Sequence, residues 1–100
     1  MKVRVSRRAT RELERAVKWW LETYDVPPPL LKELREVIAV LRALPEHGVP
    51  IRTVRGRVVR RVLLRESQYH VYYRVAEGEA VEIMSVWSTA RGRTPKLGQG

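Results

Sequence analysis

The chain has 100 residues, about the length of one domain, and its 44% hydrophobic and 31% charged content is typical of a soluble protein with its own core. It has no cysteine and only two histidines, so disulfides and thiolate metal sites are excluded and we expect no metal or other cofactor. No stretch approaches the ~20 apolar residues of a membrane span, and the charged amino terminus does not resemble a signal peptide. We therefore expect a cytoplasmic protein without membrane contact.

The net charge of +9 is concentrated in the second half of the chain. Residues 1–50 carry ten basic and seven acidic side chains, a net of +3, whereas residues 51–100 carry ten and four, a net of +6. Six arginines and no acidic residue lie between Ile51 and Arg65. A GC-rich genome would explain the preference for arginine over lysine, but it does not explain this clustering. The block predicts a polyanionic partner, either a nucleic acid or an acidic protein segment.

The first half of the chain predicts a short strand and two helices. Lys2 to Val5 alternates polar and apolar residues, as a strand does, and Ser6 follows at a helix N-cap position. From Arg7 to Tyr24, apolar residues recur with the period of an amphipathic helix. Three prolines at 27–29 separate this helix from a second one, which reaches about Ala43. The apolar stripe of the first helix is Ala9, Leu13, Ala16, Val17, Trp20, Leu21 and Tyr24, and its charged face, expected to be solvated, is Arg8, Arg11, Glu12, Arg15, Lys18 and Glu22.

The second half predicts a sheet. Its four strands are expected at Ile51–Val54, Arg57–Leu64, Tyr69–Val75 and Ala80–Trp87, with turns at Arg55-Gly56 and Glu77-Gly78-Glu79. Helices that precede a run of antiparallel strands indicate an α+β fold of order β-α-α-β-β-β-β. We expect residues 1–94 to form a single domain and residues 95–100 a loose carboxyl-terminal tail.

Strand periodicity predicts which side chains lie on the sheet face that the helices leave free. If the strands pair across the four-residue turn after Leu64, Arg61 faces Tyr72. The set on the helix-free face is then Arg61, His70, Tyr72 and Arg74. Cations beside aromatic rings hold nucleotides by phosphate contact and base stacking. The plainer interpretation is that these are solvated sheet residues, and for Trp87 both a core position and a binding rim stay open.

Several segments resemble one family over essentially the whole chain. They are RRVLLRESQYHVYYRV, VEIMSVWSTARGRTPKL, the helix pattern ATRELERAVKWW and the segment LPEHGVP. These segments resemble the RelE/ParE superfamily of toxins. The resemblance implies a type II toxin, neutralised by a cognate antitoxin that wraps a disordered, often acidic segment around it. RelE-like members cut mRNA on the ribosome, whereas ParE-like members poison DNA gyrase and cut nothing themselves.

The resemblance also implies roles for particular residues. RelE-like RNases use strand lysines and arginines, a later arginine and a carboxyl-terminal tyrosine or histidine for proton transfer and charge stabilisation. Arg61, His70 and Arg91 match three of those positions. The second strand cation falls on Leu63, and no tyrosine or histidine follows Arg91, which favours the ParE-like branch. Ser88 stands where ParE-type relatives often carry a histidine.

We therefore expect a ParE-like toxin that is not an enzyme and that forms a hetero-oligomer with its antitoxin. The alternatives are a RelE-type mRNA interferase acting on the ribosome, and a basic nucleic-acid-binding module that is non-toxic or a decayed toxin. The residues expected to bind the antitoxin or the target are Arg55, Arg57, Arg61, His70, Tyr72, Arg74, Trp87, Arg91 and Arg93.

Overall fold

The elements occur in the predicted order. A computed structural model describes residues 1–76 and 80–98, so the turn predicted at Glu77-Gly78-Glu79 lies outside the described residues. The elements are β1 (Lys2–Val5), α1 (Arg7–Thr23), α2 (Pro29–Ala43), β2 (Val49–Val54), β3 (Arg57–Leu64), β4 (Tyr69–Ala76), β5 (Ala80–Ser88) and a short 3₁₀ turn (Thr89–Arg91). This arrangement confirms the α+β class.

Local chemistry explains where several elements begin. The Ser6 hydroxyl caps α1 by accepting the backbone N–H of Ala9 at 3.0 Å. Arg55 and Gly56 have φ angles of 52° and 78°, and two positive values are what the commonest two-residue hairpin turn requires. β2 begins two residues earlier than predicted, because it continues its pairing with β3 past a bulge at Ile51.

The five strands form one sheet of order β1-β5-β4-β3-β2. β1 runs parallel to β5, and every other pair is antiparallel. Arg61 pairs with Tyr72, which confirms the predicted register. On β5 a bulge at Met84 shifts the alternation, so that Ile83 and Val86 both reach the helix side. That shift is why both parities of this interior strand are apolar.

The helices cover one face of the sheet and bury the main core. Its fully buried members are Ala9, Leu30, Leu34, Leu41, Leu64, Val71, Tyr73, Val81, Ile83 and Val86. The stripe of α1 is covered only in part, since Leu21 is 58% and Tyr24 is 46% exposed. Periodicity identifies the apolar face of a helix, but it does not say how much sheet is available to cover it. No helix in residues 1–76 and 80–98 is long and apolar enough to span a membrane.

Part of the opposite face of the sheet is covered by residues 93–98, which we call the carboxyl-terminal strap. Leu97 is 2% exposed and packs in a second cluster with Val59, Tyr72 and Trp87. Pro95 is buried as well, and its carbonyl accepts a hydrogen bond from Arg52 of β2 at 3.3 Å. The expectation of a loose tail is therefore corrected for residues 95–98. The sequence does not predict this packing, because Pro95 and Leu97 are isolated among polar residues and form no periodic pattern.

Candidate functional site

Arg8 and Glu12 of α1 join the end of β5 to the strap. β1 stops opposite Ile83, and in the described part of the chain no strand flanks β5 on that side beyond this point. The Glu12 carboxylate takes the strand's place by accepting the Ser85 hydroxyl at 2.9 Å and the Val86 N–H at 3.0 Å. Arg8 donates to Glu12 at 3.3 Å and to the carbonyl of Lys96. The expectation that this part of the charged face is solvated is thus corrected, because both side chains are partly buried.

Three of the predicted residues come together on the sheet. An Nη1 of Arg61 lies 3.4 Å from the Tyr72 hydroxyl, and the guanidinium carbon lies 5.9 Å from the Tyr72 ring centroid. The rings of His70 and Tyr72 are 6.0 Å apart. However, Tyr72 is only 1% exposed because Leu97 packs against it. The Tyr72 ring is therefore part of a core and is closed to base stacking.

His70 is half-buried beside this ring. Burial, and secondly the positive charge of Arg61, lower the pKa of His70 from its ordinary value of 6.5. The imidazole is therefore neutral at pH 7 and able to accept a proton or a hydrogen bond. Among the described residues, no three carboxylate or imidazole groups are placed to hold a metal ion.

Arg74 lies apart from that group. It forms an ion pair with Glu82 on β5, with Nη2 and Nε at 3.0 and 3.1 Å from one carboxylate oxygen. These two residues, together with Arg4, Arg55 and Arg57, line an open depression of about 390 Å³ at the far end of β4 from His70. The single predicted surface is therefore corrected to two separate clusters, because strand alternation identifies a face but not a position along it.

Trp87 has a third cluster of cations around it. The guanidinium carbons of Arg91, Arg93 and Arg8 lie 4.1, 5.6 and 5.8 Å from its ring centroid. The indole N–H donates to the carbonyl of Arg93 at 2.8 Å. Trp87 is 7% exposed, so it belongs to the core, whereas Arg91 and Arg93 are exposed. Because Trp87 pairs with His70 across β4 and β5, this cluster adjoins the Arg61 group.

An apolar groove lies on the other side of the molecule, between the helices. It has a volume of about 720 Å³ and is lined by Leu13, Glu14, Val17, Lys18, Leu21, Glu22 and Leu31. Trp19 of the same helix does not line the groove and is 57% exposed. Helical periodicity predicted that most of these apolar residues belong to the core. Periodicity does not distinguish an apolar residue that is buried from one that stays exposed.

A short strand, a helical hairpin and a five-stranded sheet with a basic face define a small α+β protein of the kind that the sequence resembles. A family model described as the ParE toxin of type II toxin–antitoxin system, parDE, matches residues 3–92. The chain therefore belongs to the ParE toxin family. This confirms the resemblance to the RelE/ParE superfamily and the choice of its ParE-like branch. A chain from the chromosomal ParDE TA system of P. aeruginosa shares the fold, with a TM-score of 0.62 and 17% identity over 88% of this chain and 95% of that one. No curated protein sequence matches.

Proposed function

We propose that this chain is the toxin of a toxin–antitoxin pair, that it inhibits DNA gyrase, and that a cognate antitoxin neutralises it. The observation that carries the proposal is the ParE family match, which extends from β1 to the 3₁₀ turn after β5. Inhibition of gyrase is a binding activity, so it requires complementary surfaces and no catalytic group. The basic sheet face and the apolar groove are two such surfaces.

A ribonuclease is the second candidate, and the lowered pKa of His70 beside Arg61 is the observation that favours it. RNA cleavage needs a base, cations for the phosphorane and an acid for the leaving oxygen within reach of one phosphate. Arg91 stacks at 4.1 Å on Trp87, and Tyr72 is buried, so neither is a ready acid. Residues 92–100 contain no tyrosine or histidine. This gap supports gyrase inhibition over RNA cleavage.

The apolar groove supports the antitoxin part of the proposal. A disordered segment that folds on binding needs apolar anchor points, and an amphipathic helix supplies them at intervals of three and four residues. Val17, Leu21 and Leu31 offer such a surface between the two helices, with Glu14 and Lys18 at its rim. We place the antitoxin segment in this groove.

The proposal is tested by inducing the chain in bacteria without its antitoxin. Gyrase inhibition predicts arrested growth, SOS induction and plasmids that lose negative supercoiling. Cleavage of translated mRNA that His70→Ala or Arg61→Ala abolishes would instead establish the ribonuclease. Unaffected growth, with the chain folded and abundant, would contradict both activities.

A further inference from the structure

Three positive charges converge on one indole where β5 ends. Arg8 comes from α1, Arg91 from the 3₁₀ turn and Arg93 from the strap, and each guanidinium carbon lies within 5.8 Å of the Trp87 centroid. The three charges are thus within about one Debye length of each other, which is ~10 Å at 0.1 M salt. Cation–π attraction to the ring offsets part of their mutual repulsion. We call this set the Trp87 arginine cluster.

The cluster contains more positive charge than its surroundings neutralise. Glu12 pairs with Arg8, but its other oxygen is already bound to Ser85 and Val86. Within residues 1–76 and 80–98, the side chains of Arg91 and Arg93 contact the indole and no carboxylate. Both residues are exposed to solvent. Adjacent guanidinium groups without an acidic partner attract an anion.

The anion has to be one that is recognised by its oxygens. Trp87 is 7% exposed because the three arginines and the strap cover it, and Tyr72 is 1% exposed. Neither of these rings is therefore open to a nucleotide base, and the His70 ring beside them is half-buried, so base stacking contributes little to recognition at this face. What the face offers is guanidinium N–H donors, which match phosphate or carboxylate oxygens.

The rest of the face favours phosphates over the carboxylates of a peptide. Arg61 and His70 adjoin the cluster, and Arg57 lies further along the same face, so cations extend the length of the sheet. Duplex DNA presents a charge about every 1.7 Å along its axis, and such a regular polyanion suits an extended rigid surface. Bound peptides also need apolar anchors. The helical side offers a groove with several of them, including Leu21 and Leu31, whereas the basic face offers scattered ones such as Leu63, which is 40% exposed opposite His70.

We propose that the Trp87 arginine cluster binds the phosphodiester backbone of double-stranded DNA, without sequence preference. The site goes beyond gyrase inhibition, because it gives this chain a DNA contact of its own. It can be measured on the isolated chain, so it stands or fails independently of the proposed target.

The test is fluorescence anisotropy with a labelled DNA duplex of about 20 bp and arbitrary sequence, titrated between about 0.05 and 0.2 M salt. The double variant Arg91→Gln/Arg93→Gln should lower the slope of log affinity against log salt by about 1.8, which is about 0.9 for each lost phosphate contact. If both proteins bind equally at 1 M, that change is a loss of roughly 60-fold at 0.1 M. The matched control is Arg15→Gln/Arg35→Gln, which removes the same charge from exposed positions on the two helices.

Three results would overturn the proposal. One is an unchanged affinity and salt slope in the Arg91/Arg93 variant, with folding verified by circular dichroism. Another is an equal loss in the control variant, since net charge alone would then explain binding. The third is that the Arg91/Arg93 variant loses the binding of a labelled polyglutamate peptide but still binds DNA as the unmodified chain does. That result would assign the cluster to an acidic protein.

Discussion

Tyr73 attaches the segment between α2 and β2 to the sheet through one buried hydroxyl. This hydroxyl donates to the carbonyl of Pro45 at 2.8 Å and accepts the N–H of Gly48 at 2.7 Å. A Cβ on residue 48 would lie 2.7 Å from the Tyr73 ring, so the contact requires glycine there. Burial raises the pKa of Tyr73 above its ordinary value of 10.0, because the neutral phenol is the form that fits.

We predict that Tyr73→Phe lowers the free energy of unfolding by about 1–3 kcal/mol, because it leaves the Gly48 N–H without its acceptor inside the protein. Urea denaturation followed by circular dichroism measures this change. Tyr24→Phe is the control, since Tyr24 is exposed at the end of α1. Equal stability of the two variants would show that the buried hydroxyl contributes nothing.

The positive charge of Arg61 acts on the pKa of His70, which can be read by NMR. We predict a pKa below 6.5 in the folded chain and an increase towards 6.5 in Arg61→Gln, because that variant removes a positive charge that opposes protonation. A folded pKa below the unfolded one also means that the His70 contribution to stability is present above pH 6.5 and is lost as the pH falls below it. Arg35→Gln should leave the titration unchanged. A pKa above 6.5 in the unmodified chain would contradict this environment.

At the scale of elements, the amino-terminal half of α1 replaces a missing sheet strand. Because β1 has only four residues, the Val86 N–H of β5 bonds to the Glu12 carboxylate and not to a strand. An uncovered sheet edge exposes unpaired backbone groups, so this contact also protects β5 from pairing with other chains.

We predict that Glu12→Ala accelerates amide hydrogen exchange at Val86 and lowers the free energy of unfolding by about 1–3 kcal/mol. The mechanism is the loss of an acceptor that serves both Ser85 and Val86. Glu14→Ala, two residues away and exposed, is the control. Unchanged exchange at Val86 would mean that solvent satisfies this amide equally well.

Elements whose apolar residues repeat with the period of a helix or strand were predictable, and elements without such a repeat were not. β3, β4 and their register follow from the alternation around Arg61 and Tyr72, which a one-residue slip would reverse. The strap has no period, since Leu97 binds the sheet as a single side chain after a glycine- and proline-containing segment. The strap, which the sequence did not predict, changes the site. Leu97 covers the Tyr72 ring, which strand periodicity had placed on an open face.

The site could be predicted in its residue types but not in its grouping. The family resemblance pointed to Arg91, and Arg93 was among the residues expected to bind a partner. Their meeting point on Trp87 also involves Arg8, which is about 80 residues away in sequence and comes from a helix face expected to be solvated. Contacts over such sequence distances are set by the tertiary fold, and a single sequence contains no local signal for them.

At the scale of the whole molecule, two different surfaces lie on opposite sides of the sheet. The helical side carries the apolar groove around Leu21 and Leu31, and the other side carries the arginine clusters. This separation leaves the arginine clusters open when the groove is occupied. Neutralisation would then act by blocking access to the target or by bringing an acidic segment around to the basic face.

We predict that Leu21→Asp weakens antitoxin binding at least tenfold and leaves folding intact, because Leu21 is exposed in the groove and an anchor lost from an interface core costs more than ~1.4 kcal/mol. Calorimetric titration with the purified antitoxin measures the change. Leu44→Asp is the matched control, being 60% exposed outside the groove. Equal affinity of the two variants would place the antitoxin elsewhere.

The most direct test of the central claim is a supercoiling assay with purified gyrase, relaxed plasmid, ATP and the folded chain. If the chain is a gyrase-inhibiting member of the ParE family, supercoiling should fall as the chain is added and cleaved plasmid should accumulate in complex with gyrase. Supercoiling should recover when the antitoxin is added. Full gyrase activity at excess toxin, together with cleavage of translated mRNA by the same preparation, would contradict the account.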